Sequence, residues 1–380
     1  MSRPRTAIFA APRVVASGRD LSPGYLEVSG RSITAVRAGT PRHARAVRFD
    51  GTLIPGLIDL QVNGSTGVDF LTCRDDDDVL RAGARLAAAG VTAFLPTLIS
   101  SPLPELLAAI QRWRLFAGRH GGPSVLGLHL EGPYLNPAFS GAHEAGALRA
   151  PDPAECDALL NVAPGLVRMV TLAPELPQAL ELIPIIRAAG AVVALGHTAA
   201  TAEEADAAFD AGATMVTHLF NAMRPFHHRD PGIVVAALRR TDVVVGLIAD
   251  LVHLHAAVLS LVIHLKGWRK VALISDAVAA ADGMSGMLAG RRLDLTDAPR
   301  LADGTLAGTS LLLGEAVKNV VSIGTPLRDA VLMASAAPAA VLGLRDRGRL
   351  AAGARADFAV LDAALQPAAT FVGGTQVYAR

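Results

Sequence analysis

Apolar and polar residues alternate in short runs over the first fifty positions, in IFAAPRVV, YLEVSG, SITAVRAG and AVRFDG, and nothing there repeats with helical spacing. A period of two marks strands with one buried face. The C-terminal stretch GARADFAVLDAALQPAATFVGGTQVYAR returns to that pattern around the turn signal Gly373-Gly374. Two strand-rich ends around a different middle predict a small β-sandwich domain formed by residues 1–52 and 348–380.

Residues 53–347 read otherwise. Near-continuous apolar runs, LIPGLIDLQV, TAFLPTL, VLGLHLEG, VRMVTLAPE, AVVALGHT, TMVTHLF, VVVGLIAD and VALISDA, alternate with Ala-rich helical stretches such as DDDVLRAGARLAAAG, LPELLAAIQRWRLFAG and TAEEADAAFDAG. Buried parallel strands joined by crossover helices have this appearance. Eight such units predict an α/β chain folded as a (β/α)8 TIM-type barrel. An open doubly wound sheet fits less well, because no GxGxxG follows the first strand and polar residues end many strands rather than one.

Those strand ends carry Gln61 and Asn63, Glu131, His197, His218, Asp250 with His253, and Asp276. In a barrel the C-terminal strand tips share one mouth. Glu131, His197 and His218, from strands three, five and six, are a ligand set for catalytic zinc or ferrous iron with a coordination position left for water. A single histidine also fits a core position bonded to backbone; three ligand-type residues at three tips favour the metal. Asp276, ending strand eight, is the expected general acid and base, with a helix N-cap or a salt bridge as its alternative.

Composition narrows the partners. The 380 residues carry a formal charge of +1, are 51% hydrophobic and 18% charged, and place lysine only at Lys266, Lys270 and Lys318. No basic run with interleaved aromatics points to nucleic acid. Cys73 and Cys156 stand alone, as in a reducing compartment, and give no disulfide framework. Pro12 and Arg13 interrupt the apolar patch near the start before any signal-peptide core, which predicts a cytoplasmic protein. The apolar stretch 243–265 contains Asp250, His253, His255 and His264, so a strand, a turn and a helix are expected there rather than a membrane span.

The order LIPGLIDLQVNG, GVTAFLPTL, GLHLEGPYLNP, GAH, LGHT, THLFNAM, HHRDPG and ISDA, over about residues 53–310, resembles the N-acetylglucosamine-6-phosphate deacetylases of the amidohydrolase superfamily. The resemblance implies hydrolysis of N-acetyl-D-glucosamine 6-phosphate to D-glucosamine 6-phosphate and acetate, in amino sugar catabolism. The alternatives are N-acetylgalactosamine 6-phosphate or another amidohydrolase substrate, and more remotely a non-catalytic barrel scaffold. Many amidohydrolases have His-x-His where this chain has Gln61-x-Asn63. Neutral amides are poor zinc ligands, so one divalent metal ion per subunit is expected, zinc first, with iron or another divalent metal as the alternative, and the two amides bonding to solvent or to neighbouring ligands.

For the substrate, the resemblance implies contacts from His143 and His253, and from the segment FNAMRPFHHRDPG, with Asn221 and the Ala222 backbone near the metal and His228 and Arg229 near the phosphate. A guanidinium can fork two phosphate oxygens. Placement of that loop by a neighbouring subunit's site implies a homodimer or dimer-based oligomer. The turn GTLAG, Leu306 within it, offers backbone N–H groups to an anion or a sugar hydroxyl, and Thr309 or Ser310 is the expected cap of the helix that follows. GRRLDLTDAPRLADG reads as a two-stranded ribbon. His129 is expected in the barrel interior and His255 at a helix start, while His43, His120 and His264 lack supporting context.

Overall fold

The structure, a computed structural model, describes residues 6–116, 118, 121–280 and 286–380. Eight parallel strands form a (β/α)8 barrel: Leu57–Val62, Val91–Ile99, Leu128–Glu131, Val167–Leu172, Val192–Leu195, Met215–Val216, Val244–Ile248 and Val271–Ile274. They pair in chain order. The first and eighth meet through a parallel bridge between Val62 and Ala277, where the Asp276 N–H donates to the Gln61 carbonyl at 2.9 Å. The interior is filled by Ile58, Leu60, Ala93, Leu95, Met169, Ala194, Met215 and Ile274. A larger apolar layer lies between strands and helices, including Leu86, Phe94, Trp113, Leu182 and Ile186.

Local signals set the helices. The Asp75 carboxylate accepts the Asp78 N–H and starts Asp76–Ala88, whose first turn is acidic, as the helix dipole favours. Thr201 and Glu204 form a reciprocal capping box before Ala202–Ala211.

Both termini build two further sheets. Ser32–Ala38, Gly24–Ser29, Thr6–Ala11 and Val47–Arg48 form one; Thr375–Ala379, Pro367–Val372, Phe358–Leu361, Thr52–Pro55, Arg13–Val15 and Asp20–Leu21 form the other. Phe9, Leu26, Ile33, Leu53, Phe358 and Phe371 fill the core between them.

Three expectations are refined. LIPGLIDLQV is two strands: Thr52–Pro55 belongs to the terminal sheet, Leu57–Val62 to the barrel. Gly56 lies between, and a Cβ there would be 2.2 Å from Thr92 Oγ1. The ribbon after strand eight has three antiparallel strands, Gly286–Leu288, Arg291–Leu295 and Pro299–Arg300; a two-residue strand leaves no alternation to read. Neither Thr309 nor Ser310 caps the following helix, Leu313–Ser322. The Thr309 hydroxyl donates instead to the Ser275 carbonyl at 2.8 Å, and Glu315 accepts the Leu312 N–H.

Among the described residues no helix is long and apolar enough to cross a membrane. The stretch 243–265 is the seventh strand, a turn, and helix Ala256–Lys266 capped by the His255 side chain.

Candidate active site

The third strand ends on Glu131, whereas His197, His218 and Asp276 each follow the last residue of strands five, six and eight by two positions. All three of the latter have left-handed backbones, with φ of 50°, 22° and 49°. Such conformations are unfavourable for residues with a Cβ and cluster where a side chain must be aimed. Here each turns its side chain into one cavity of about 350 Å³, which is also lined by Asn63, His143, Asn221, Ala222, His253 and Leu306.

The innermost part is buried. His197 Nε2 and His218 Nε2 are 3.1 Å apart, and they lie 3.3 and 2.9 Å from the same Glu131 oxygen, Oε1. The ring tautomer can be argued for His197: its Nδ1 is 2.9 Å from the Phe139 carbonyl, which can only accept, so the Nε2 lone pair faces the cluster. Two imidazole nitrogens and a carboxylate oxygen in mutual contact need an electropositive centre between them, and the donor set suits a divalent cation. Burial alone would raise the Glu131 carboxyl, but the two imidazoles beside it hold it well below its ordinary value. Burial would lower His218, and the neighbouring carboxylate more than offsets that.

Ligand atoms of Glu131, His143 and His197 also lie within 4.8 Å of one another. His143 nevertheless differs chemically. The Ser100 N–H donates to its Nδ1 at 3.2 Å, with the Ser100 hydroxyl 2.9 Å away. The ring proton is therefore on Nε2, and His143 meets the cavity as a donor rather than as a lone pair. Burial, then His197, push its pKa down to about 3, keeping it neutral.

Gln61 and Asn63 both contact Asp276. Asn63 Nδ2 donates to Asp276 Oδ1 at 2.7 Å, and Gln61 Nε2 donates to the same oxygen at 3.2 Å and to Glu131 Oε1 at 2.9 Å. The Thr217 hydroxyl donates to Gln61 Oε1. Burial, then the Glu131 charge, raise Asp276 to about 6.

Outside this centre, Asp250 Oδ2 is 2.6 Å from His253 Nδ1 and fixes that ring. Arg229 and His228 are exposed, 3.0 Å from each other, and do not line the cavity. They project from a loop closed by Arg224, which bonds to Asp230 and to the Ala199 carbonyl. Among the described residues, the cavity lining contains neither arginine nor lysine. His129 bonds to Thr171 and Thr97 in the barrel interior, and burial lowers it to about 4. His43 and His264 are exposed; His120 lies outside the described residues.

Two contributors were missed in the sequence. Ser100 directly follows strand two, a tip that could have been read as the others were; Thr217 precedes His218, and nothing in the sequence says which way its hydroxyl points.

Residues 52–378 match the amidohydrolase family. The chain is 38% identical over 345 residues to N-acetylglucosamine-6-phosphate deacetylase of Bos taurus, covering 86% of this chain and 83% of that protein. It is 36% identical over 377 residues to N-acetylgalactosamine-6-phosphate deacetylase of Escherichia coli O157:H7, covering 97% and 98%. The solved structure of a Mycobacterium smegmatis N-acetyl-D-glucosamine-6-phosphate deacetylase variant, in complex with N-acetyl-D-glucosamine-6-phosphate, matches with a TM-score of 0.93 at 36% identity, covering 98% of this chain and 99% of that one.

Proposed function

The chain belongs to the amidohydrolase family, and from that premise we propose that it removes the N-acetyl group of N-acetyl-D-glucosamine 6-phosphate, releasing D-glucosamine 6-phosphate and acetate. The observation that carries this reading is the convergence of Glu131, His197 and His218 on one point, with Asp276 and a neutral His143 in the same cavity.

Glu131, His197 and His218 would hold one divalent metal, zinc by the preference of an imidazole and carboxylate set, with iron as the alternative. The metal supplies a Lewis acid for the acetamide carbonyl and lowers the pKa of water in the site. Gln61 and Asn63 support a single ion, because both turn N–H groups to carboxylates and the Gln61 oxygen is taken by Thr217. Asp276 removes a proton from the attacking water. His143 Nε2–H stabilises the charge that develops on the carbonyl oxygen. Asp276 then returns the proton to the departing nitrogen, and the amine and acetate separate.

His253, Asn221, Ala222 and Leu306 would position the sugar. A substrate phosphate needs a cation, and the exposed Arg229, with His228, would supply it to the cavity of a second copy in a homodimer. Two buried, separate thiols suit a cytoplasmic setting. A second reading, N-acetylgalactosamine 6-phosphate as substrate, is favoured by the near full-length match to a deacetylase of that name. Metal analysis of the purified protein, with acetate release measured on both epimers, tests both readings. Metal bound without acetate from either would reject them.

A further inference from the structure

A second cavity, of about 440 Å³, lies at the other end of the barrel from Glu131. Ser124 and Val125 form one wall; they precede strand three and pair with Ala93 and Phe94, in the N-terminal half of strand two. The terminal sheets supply the opposite wall, with Arg31, Arg355, Gly373 and Thr375, and Arg347 comes from the segment that leads back into them. Among the described residues, the lining contains these three arginines and neither aspartate nor glutamate.

Backbone pairing brings the arginines together. The Ala356 N–H donates to the Arg31 carbonyl at 2.8 Å, and Ser32 bridges Arg355, so Arg31 and Arg355 leave neighbouring extended segments. Both side chains pass over Gly373: a Cβ built there would stand 3.0 Å from Arg355 Nη2 and 3.1 Å from Arg31 Nε. Like charges this close repel unless anions lie between them. One buried carboxylate does. Asp357 Oδ1 accepts the Gly373 N–H at 2.6 Å and Arg355 Nε at 2.9 Å, and its Oδ2 accepts Arg347 Nη1 at 3.1 Å. Asp346 comes only within 3.9 Å of Arg347 Nε. Burial lowers the Arg347 pKa, Asp357 opposes that, and Arg355 and Arg31 add to it. Within the described residues no hydrogen bond takes Arg355 Nη1 or Nη2, and none takes the Arg31 guanidinium. Three cations around one carboxylate leave positive charge unbalanced, and it faces the cavity.

Guanidinium forks match the oxygens of a phosphate, and a doubly charged anion would offset the surplus. The cavity also exceeds the catalytic one, of about 350 Å³, so it admits a phosphate with a sugar-sized group attached. We propose that this cavity is a second anion site, which binds a phosphate group, free or carried by a small phosphomonoester, between Arg31, Arg347 and Arg355 and thereby ties the terminal domain to the N-terminal end of the barrel. The inference goes beyond the deacetylase reading and does not depend on it.

The test is calorimetric titration, at constant ionic strength, of the wild type, Arg31→Ala, Arg31→Lys and Arg229→Ala with inorganic phosphate and with D-glucosamine 6-phosphate. Arg31 is exposed and makes no hydrogen bond within the fold, so its replacement leaves the chain folded. Inorganic phosphate should bind the wild type and Arg229→Ala alike and bind Arg31→Ala about 10- to 100-fold more weakly, the worth of one charge-assisted contact. Arg31→Lys, which keeps the charge without the fork, should lose less. Bound phosphate should also raise the Tm of the wild type more than that of Arg31→Ala. An Arg31-dependent site that takes D-glucosamine 6-phosphate more tightly than inorganic phosphate is a phosphomonoester site; equal affinities make free phosphate its ligand. No phosphate binding by the wild type, or binding that Arg31→Ala leaves unchanged, overturns the proposal, as does binding that Arg229→Ala abolishes, which would belong to the catalytic cavity. Absence of acetate release by the wild type would reject the functional reading and leave the phosphate titration to decide this site.

Discussion

Asn63 Nδ2 donates to Asp276 Oδ1 at 2.7 Å across the seam where the first barrel strand meets the eighth. The contact ties the proposed acid and base to a neutral partner from the other end of the barrel sequence. Asp276→Asn would keep the shape but lose the proton acceptor. We expect metal content to be retained and kcat to fall by about 10²- to 10⁴-fold. Full turnover in this variant would remove Asp276 from the mechanism.

The histidines should separate by role. His197→Ala and His218→Ala should lose bound metal, measured per subunit after gel filtration, and with it activity. His143→Ala should keep the metal and lose turnover, because Nδ1 accepts the Ser100 N–H and Nε2 carries the proton. Chelation should inactivate the wild type, and added zinc should restore it. Metal loss in His143→Ala would make that residue a ligand.

Arg229 lies outside its own cavity. Arg229→Ala is expected to raise KM by about 10- to 100-fold, the worth of one charge-assisted contact to an anion, with kcat little changed. Mixing Arg229→Ala and Asp276→Asn subunits under exchange conditions should regain activity, since mixed dimers contain one intact site. No recovery would argue that the loop does not serve a neighbouring copy.

Asp59 gives a pH signature of stability. Its Oδ1 accepts the N–H groups of Gln61 and Ser275, its Oδ2 has no partner, and burial pushes its carboxyl from 3.8 up to about 7. Between about pH 4 and 7 the folded state therefore binds more protons than the unfolded one, and the Asp59 contribution to stability falls as pH rises. Asp59→Asn should gain on the wild type across that window by ~1 kcal/mol or more, read from urea unfolding at several pH values. A pH-independent difference would contradict the assignment.

Gly56 marks the passage from the terminal sheet into the barrel. A Cβ there would stand 2.2 Å from Thr92 Oγ1 and 2.4 Å from its methyl group. Overpacking of this kind costs about 1–3 kcal/mol. Gly56→Ala should lower Tm, and Gly56→Ala with Thr92→Ala should recover part of the loss; an unchanged Tm in the single variant would show that the strand shifts freely.

The barrel could be read along the chain because each of its strands is buried on both faces and stands out as an apolar run between amphipathic helices. The candidate ligands were legible for a related reason: Glu131, His197 and His218 interrupt those runs at the strand ends. What the runs hid was the break at Gly56, since Leu53 to Ile58 carries no polar side chain while passing from one sheet to another. The third ribbon strand was too short to show a period, and the Thr309 hydroxyl was taken by a backbone carbonyl 34 residues away in sequence.

Periodicity and residue type are local properties, and they were enough to determine eight buried strands and the strand-rich ends, and to single out the side chains proposed to bind a cation or move a proton. Orientation is not local. Whether Gln61 offers N–H or oxygen to Asp276, which nitrogen of His143 carries its proton, and that Arg229 stays out of its own cavity depend on Glu131, Ser100 and Arg224, residues distant in sequence or facing elsewhere until the chain closes. The tertiary structure decided these because a hydrogen bond specifies direction, and direction exists only once both partners have been brought together.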